Sequence, residues 1–247
     1  MLRTRILFAA MLVAVAAVAC SGDGDTTDGE VAAGAPGSSG DTEAVNPADF
    51  STTITHALFP LSSARNTEFV GREKKNDGAT TEVRVVSRLL EKTDTIAGVT
   101  VAVVEVTEHK DGQLHELTED YFAQHSDGTV WYFGERVTNY EDGKPTDNDG
   151  TWLAGENGYR PGVFMPAIPT VGQEYAPEQI PGVADERSKV LELNVEVTVP
   201  AGKFTGCMKT EDRDLLDNKT EFKFYCPRAG LVREEGPTGS SELVRLA

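Results

Sequence analysis

The chain has 247 residues, of which 40 are acidic and 23 basic, for a formal charge of −17. That surplus excludes nucleic acid and anionic headgroups as partners recognised by charge, since both repel an acidic surface. Four histidines and three cysteines leave little material for a metal or thiol centre.

Arg3 and Arg5 precede an uncharged apolar run from Ile6 to Ala19, which ends in Ala17-Val18-Ala19-Cys20. A basic start, an apolar stretch of about fourteen residues and small residues before a cut predict a signal peptide over 1–19. The run is shorter than the roughly 20 apolar residues that a membrane-spanning helix needs. With Cys20 directly after the small residues, the segment resembles a bacterial lipobox. The resemblance implies cleavage before Cys20 and acylation of its thiol. Each buried CH₂ of an acyl chain contributes about 0.8 kcal/mol, so several chains hold a protein at a bilayer. The expected address is the cell envelope, lipid-anchored on the extracytoplasmic side, periplasmic or surface-exposed. Loss of Arg3 and Arg5 with the leader takes the charge to −19.

Residues 20–49 read as a flexible acidic tether. Gly, Ala, Ser, Thr and Asp dominate, and such a stretch buries too little apolar surface to offset its chain entropy. Asp23-Gly24-Asp25 and Asp28-Gly29-Glu30 lack the twelve-residue spacing of a calcium loop.

The remainder, 50–247, is predicted to be all-β. Val83 and Val85 alternate with Glu82 and Arg84. Val99, Val101 and Val103 share a segment with Ala102, Val104 and Val106, which makes it apolar on both faces and therefore central. Tyr121–Gln124 and Thr129–Phe133 continue the pattern. Over Leu191–Val199 the odd positions (Leu191, Leu193, Val195, Val197, Val199) are apolar and the even ones (Glu192, Asn194, Glu196, Thr198) polar, a half-buried strand. Asp-Gly pairs at 77–78, 111–112, 127–128, 142–143 and 149–150 supply the positive φ angles that tight hairpins require. The expected fold is an antiparallel meander forming a curved sheet or half-barrel. Pro161–Pro181, with five prolines, should connect its two parts irregularly and mark a seam.

With Cys20 acylated, Cys207 and Cys226 remain. Lys203–Glu211 and Thr220–Pro227 flank a polar turn at Leu216-Asp217, and folding them as a hairpin about that centre sets 207 opposite 226. Outside the cytoplasm that pair predicts a disulfide.

Several segments resemble a family of uncharacterised exported bacterial lipoproteins. They are Phe59-Pro60-Leu61 with Asn66-Thr67-Glu68-Phe69-Val70-Gly71, Val130-Trp131-Tyr132-Phe133-Gly134-Glu135, Val199-Pro200-Ala201-Gly202-Lys203-Phe204, and Tyr225-Cys226-Pro227-Arg228-Ala229-Gly230-Leu231-Val232. The resemblance implies an extracytoplasmic β domain and supplies no activity.

Candidate sites are few. Trp131, Tyr132 and Phe133 concentrate aromatic surface on one strand, either as a ligand platform or as a buried layer. His109 and His115 bracket Asp111-Gly112 and could approach one another across a hairpin. The run His115-Glu116-Leu117-Thr118-Glu119 has Glu119 where a zinc-protease helix has its second histidine. Asp147 and Asp149, on an acidic loop with Glu141 and Asp142, offer oxygen ligands without the order of an EF-type loop. No Gly-x-Ser-x-Gly elbow, Ser-x-x-Lys pair or Gly-rich phosphate loop occurs, and no cofactor is expected. The expected function is a non-enzymatic binding or structural role in the envelope, its partners a membrane through the lipid and an envelope protein or apolar ligand. The alternative is a carrier of a lipid or other apolar ligand inside the curved sheet; a metal-dependent hydrolase ranks behind both.

Overall fold

The computed structural model describes residues 46–247 apart from 76. The leader, Cys20 and the tether as far as residue 45 lie outside the described residues. A short 3₁₀ turn, Pro47–Asp49, leads into fifteen strands. They are β1 Phe50–Ser51, β2 Asn66–Lys74, β3 Thr80–Ile96, β4 Val99–Lys110, β5 Gln113–His125, β6 Val130–Glu141, β7 Lys144–Pro145, β8 Trp152–Leu153, β9 Gly162–Met165, β10 Glu174–Ile180, β11 Ala184–Val199, β12 Gly202–Asp214, β13 Thr220–Cys226, β14 Gly230–Glu235 and β15 Gly239–Leu246.

All pairings are antiparallel, in the order β10-β11-β12-β13-β14-β15-β2-β3-β4-β5-β6-β7, with β1 beside β5 and both β8 and β9 beside β6. The expected all-β meander is therefore present, as one open, curved sheet. Four of the five Asp-Gly pairs sit in hairpin turns. At Asp111-Gly112 and Asp142-Gly143 both residues have positive φ, the two-residue turn whose twist matches that of the flanking strands. Ala97-Gly98 makes the same turn without the Asp signal.

Central β4 is buried on both faces, as its sequence predicts. Phe50 packs edge-on against Trp131 and Phe133 at 6.4 and 5.4 Å on the convex side. β11 corrects the simple alternation. Its register against β12 shifts three times between Val190 and Val197, and Asn194 has φ +62°. Each shift reverses which face a side chain takes. Val190, Val197 and Val199 are buried, while Leu193 is exposed.

The Pro-rich stretch is more ordered than its composition suggests, because it contains β9 and β10. Only 166–173 between them is irregular, and it carries the chain from the β6 side of the sheet to the opposite edge. Pro177 is accommodated on edge strand β10 at a register shift, where no ladder N–H is needed. Curling brings the two sheet edges together along a seam. A Cβ on Gly162 would lie 1.9 Å from the Pro177 carbonyl oxygen, so only glycine permits this approach. Across the same seam the Trp152 indole donates to Glu178 Oε1 at 2.7 Å.

Because hairpin turns alternate between the two ends of a meander, the rolled sheet has a proximal end, where the chain emerges at Asn46, and a distal end. The proximal end is closed. Residues 52–65 fold into it, with Ile54, Phe59 and Leu61 buried. Thr55 N–H donates to Gln124 Oε1 at 2.7 Å and Arg228 N–H to the Ala57 carbonyl at 3.0 Å. Phe59, Phe122, Phe164 and Tyr132 form an aromatic layer behind this plug, with centroids 4.6 to 6.2 Å apart.

The Cys207–Cys226 disulfide joins β12 and β13 with a Cα–Cα separation of 4.1 Å, in the register set by Met208 opposite Tyr225. Both cysteines are fully buried.

Candidate functional site: a charged interior opening on a polar mouth

Towards the distal end, the concave face changes from apolar to ionisable. On β4 the inward positions run Ala102, Val104, Val106, Glu108; on β5 they run Glu116, Thr118, Asp120, Phe122. The register sets Glu108 opposite Glu116, and Glu116 opposite Asn139 of β6. On β12, Thr210, Asp212 and Asp214 point inward; Lys223 of β13 and Glu234 of β14 follow around the ring. All these groups are buried.

Two lysines organise the carboxylates. Lys110 Nζ lies 3.2 Å from Glu108 Oε1 and 3.3 Å from Glu73 Oε2. Lys223 Nζ lies 3.3 Å from Asp212 Oδ2 and 3.4 Å from Glu186 Oε2. Burial alone would lower the Lys223 pKa, but Glu186 and Asp212 outweigh it and hold the ammonium well above its usual range. The carboxyls shift oppositely. Burial raises Glu108 to about 7, with Lys110 pulling down and Glu116 and Glu73 pushing up. Burial likewise raises Asp120 to about 7, against a 2.9 Å hydrogen bond donated by the Tyr132 hydroxyl. Glu221 reaches about 7, and Glu178 and Glu234 are held well above the usual carboxylate range, burial being the largest cause in each case. A ring of carboxyls crowded into low dielectric resists full ionisation at neutral pH.

Beyond this ring the distal turns surround an open cavity of about 1200 Å³. Its walls carry Lys74, Lys75, Lys110 and Lys219 beside Glu73, Asp77, Asp111, Glu141 and Asp142, with Gln113, His115 and Tyr140 between them. Both charge signs are interspersed, so the mouth suits polar, zwitterionic or hydroxyl-rich matter more than a simple ion. The closed proximal end differs: the void beside the Phe59 and Phe122 layer is about 20 Å³, room for one water. That void is too small for an apolar ligand.

The sequence candidates fall in different places. Tyr132 is buried on the concave side, stacked on Phe122 at 4.8 Å and edge-on to Trp152 at 5.5 Å. Phe133 is buried on the convex side, and half-buried Trp131 borders a separate cleft at the proximal end. His109 pairs in register with Leu114, and His115 is the extra residue of a bulge, so the hairpin does not set the two histidines opposite one another. His115 lines the mouth. Asp147 Oδ1 accepts from Asn139 Nδ2 at 2.6 Å and from Asp149 N–H at 3.2 Å, which fixes the loop that joins β7 to β8. Among the described residues, no three His, Cys, Asp or Glu side chains are grouped to hold a metal ion. Of the inward acids, the sequence singles out only Glu116, in the His115–Glu119 run. For the others the one signal is parity, since Glu108 and Asp120 continue the apolar positions of their strands.

These features define a class: an antiparallel sheet rolled into a trough, shut by aromatics at one end and open and polar at the other. No family model matches the chain, and no curated protein matches it. Among solved structures, a proposed exported protein with a YmcC-like fold from Bacteroides fragilis NCTC 9343 aligns over 76% of this chain and 98% of its own, with TM-score 0.45 and 15% identity. A proposed lipoprotein from Parabacteroides distasonis ATCC 8503 aligns over 77% and 98%, with TM-score 0.39 and 14% identity. Likeness at this level decides nothing about the activity of this chain.

Proposed function

We propose that the chain is an exported envelope lipoprotein, held to a membrane through Cys20, which binds a polar ligand or partner at its distal mouth without catalysing a reaction. The observation that carries the binding role is the open cavity of about 1200 Å³, walled by both signs of charge and backed by the buried carboxyl ring. Export is supported by the leader, by the lipobox-like Ala17-Val18-Ala19-Cys20 and by a buried disulfide, which persists in oxidising compartments. The same geometry favours a polar occupant over the apolar cargo of a carrier, because the aromatic layer fills the part of the trough that apolar cargo would need.

Native mass spectrometry of the mature protein, released gently from detergent, tests the role. The expected result is a retained polar adduct that a Lys74→Ala, Tyr140→Ala variant loses while keeping its fold. Retention of the same adduct by that variant overturns the assignment to the mouth. Metabolic labelling with a fatty acid tests the anchor separately: wild type takes up label and Cys20→Ser does not. Equal labelling of the two refutes acylation at Cys20.

A further inference from the structure

At the proximal end, strand β9 and the 166–173 loop after it form an uncharged stretch whose apolar tips the core leaves exposed. From Pro161 to Gln173 there is no charged residue, in a chain where 26% of residues are charged. Within it Ile168 is 81% exposed and Val171 63%, well above the other exposed large apolar residues among those described. The loop borders a cleft of about 560 Å³ in which Ile168 lies with Trp131, Val163 and Tyr175. The Trp131 indole N–H is buried there without a hydrogen-bond partner. Two apolar tips beside an amphipathic aromatic ring form the arrangement that suits a bilayer interface, where one side of a ring meets tails and the other meets headgroups.

The position of the loop selects the occupant. Ala167 lies 3.4 Å from where a Cβ on Gly128 would be, and its carbonyl is 3.3 Å from His56 Nε2. In the same β5–β6 turn, Ser126 N–H donates to the Asp49 carbonyl at 2.8 Å, and Phe50 pairs with His125. The loop is thus beside the point where the chain leaves the described domain toward Cys20. Only 25 residues separate Cys20 from Asn46, so this end of the domain is the one covalently closest to an acylated Cys20.

We infer that the 166–173 loop is a second membrane contact, inserting Ile168 and Val171 into the interface of an uncharged, zwitterionic bilayer. This rests on the lipoprotein reading for its biological setting but acts independently of the acyl chain. Neutral lipid is the fit because Asp49 and Asp127 stand beside the loop and the whole chain is acidic.

The test uses mature full-length protein carrying Cys20→Ser, mixed with phosphatidylcholine vesicles, with and without Ile168→Asp and Val171→Asp. The unlipidated protein should sediment with vesicles, and the double variant should partition at least about tenfold more weakly, because each apolar tip loses its transfer free energy. An Ile168→Trp variant should in addition have its fluorescence quenched by lipids brominated along the tails. No sedimentation, equal partition of the two proteins, or absence of quenching overturns the inference. A concentration-dependent dimer that the double variant abolishes, without vesicle binding, overturns it in favour of a second copy of the chain. Absence of fatty-acid labelling at Cys20 alongside intact loop-dependent vesicle binding would remove the anchor and leave this contact standing.

Discussion

Replacing Lys223 by Met tests how the charged interior is held together. Lys223 is buried, with Asp212 at 3.3 Å and Glu186 at 3.4 Å, and Glu221 and Glu234 add to the field around it. Met conserves most of the volume and removes the charge, so packing changes little while carboxylates lose their counterion. Breaking a buried pair from one side costs about 3–5 kcal/mol, which for a chain of this size is a fall in Tm on the order of 10 °C. The pH dependence separates charge from packing. Without Lys223, the pulls that restrain the pKa values of Glu186 and Glu221 disappear, and those values rise further above the unfolded ones. A carboxyl whose folded pKa is raised contributes stability that is complete below its unfolded pKa and is lost as pH rises through the folded value. The deficit of the variant should therefore be small near pH 5 and largest near pH 8. Urea unfolding followed by circular dichroism at both pH values measures it. An equal deficit at pH 5 and 8 would show that the defect is a packing defect, and the electrostatic account would fail.

The same sign argument applies to the unaltered protein. Glu108, Asp120 and Glu221 are raised to about 7, so stability should decline between about pH 5 and 7, with Tm at pH 5 higher by at least about 3 °C than at pH 8. Glu68, held low by hydrogen bonding to Arg84, and Asp94, held low by Arg136, work the other way below ordinary carboxylate values. His56 and His109, lowered by burial, do so below about 6.5, so the three strongly raised carboxyls set the net fall toward pH 8. A Tm that climbs from pH 5 to 8 contradicts this. Reducing the Cys207–Cys226 bridge, which closes a separation of 19 residues, should lower unfolding free energy by about 3 kcal/mol and add two protons in intact-mass analysis. Gly162→Ala should force the seam apart, since its methyl would meet the Pro177 carbonyl at 1.9 Å. Faster amide exchange in β8 to β10, with β2 to β5 unchanged, is the expected signature, and uniform exchange rates would refute it.

Local chemistry made the meander readable. Asp-Gly pairs announced the hairpins, valine alternation announced β3 and β4, and the symmetric placement of Cys207 and Cys226 about Leu216-Asp217 gave the bridge. The charged interior was not readable in that way. On β12, Lys209, Glu211 and Arg213 face outward while Thr210, Asp212 and Asp214 face inward, so both faces are polar and periodicity is silent. Whether such a strand buries one face depends on how far the whole sheet curls, and that is settled by strand partners as far apart in sequence as Thr67 and Leu246. The faces of β11 were misjudged for a related reason: the shifts around Asn194 are two-strand events, set against β12. Alternation along the strand predicts Trp131 and Phe133 on one face and Tyr132 on the other, and the sheet places them so, Phe50 packing on the first two and Phe122 on Tyr132.

One pairing governs how the molecule can be made. β2 is the first long strand to be synthesised, and its lateral partner β15 follows all the other described strands, with Gly239 against Glu73 and Leu246 against Thr67. Until Gly239–Leu246 arrive, β2 presents a bare row of amide groups along one edge, the kind of surface on which chains aggregate. Closure of the sheet therefore waits for β15, and loss of that strand would leave a trough that is split down its middle.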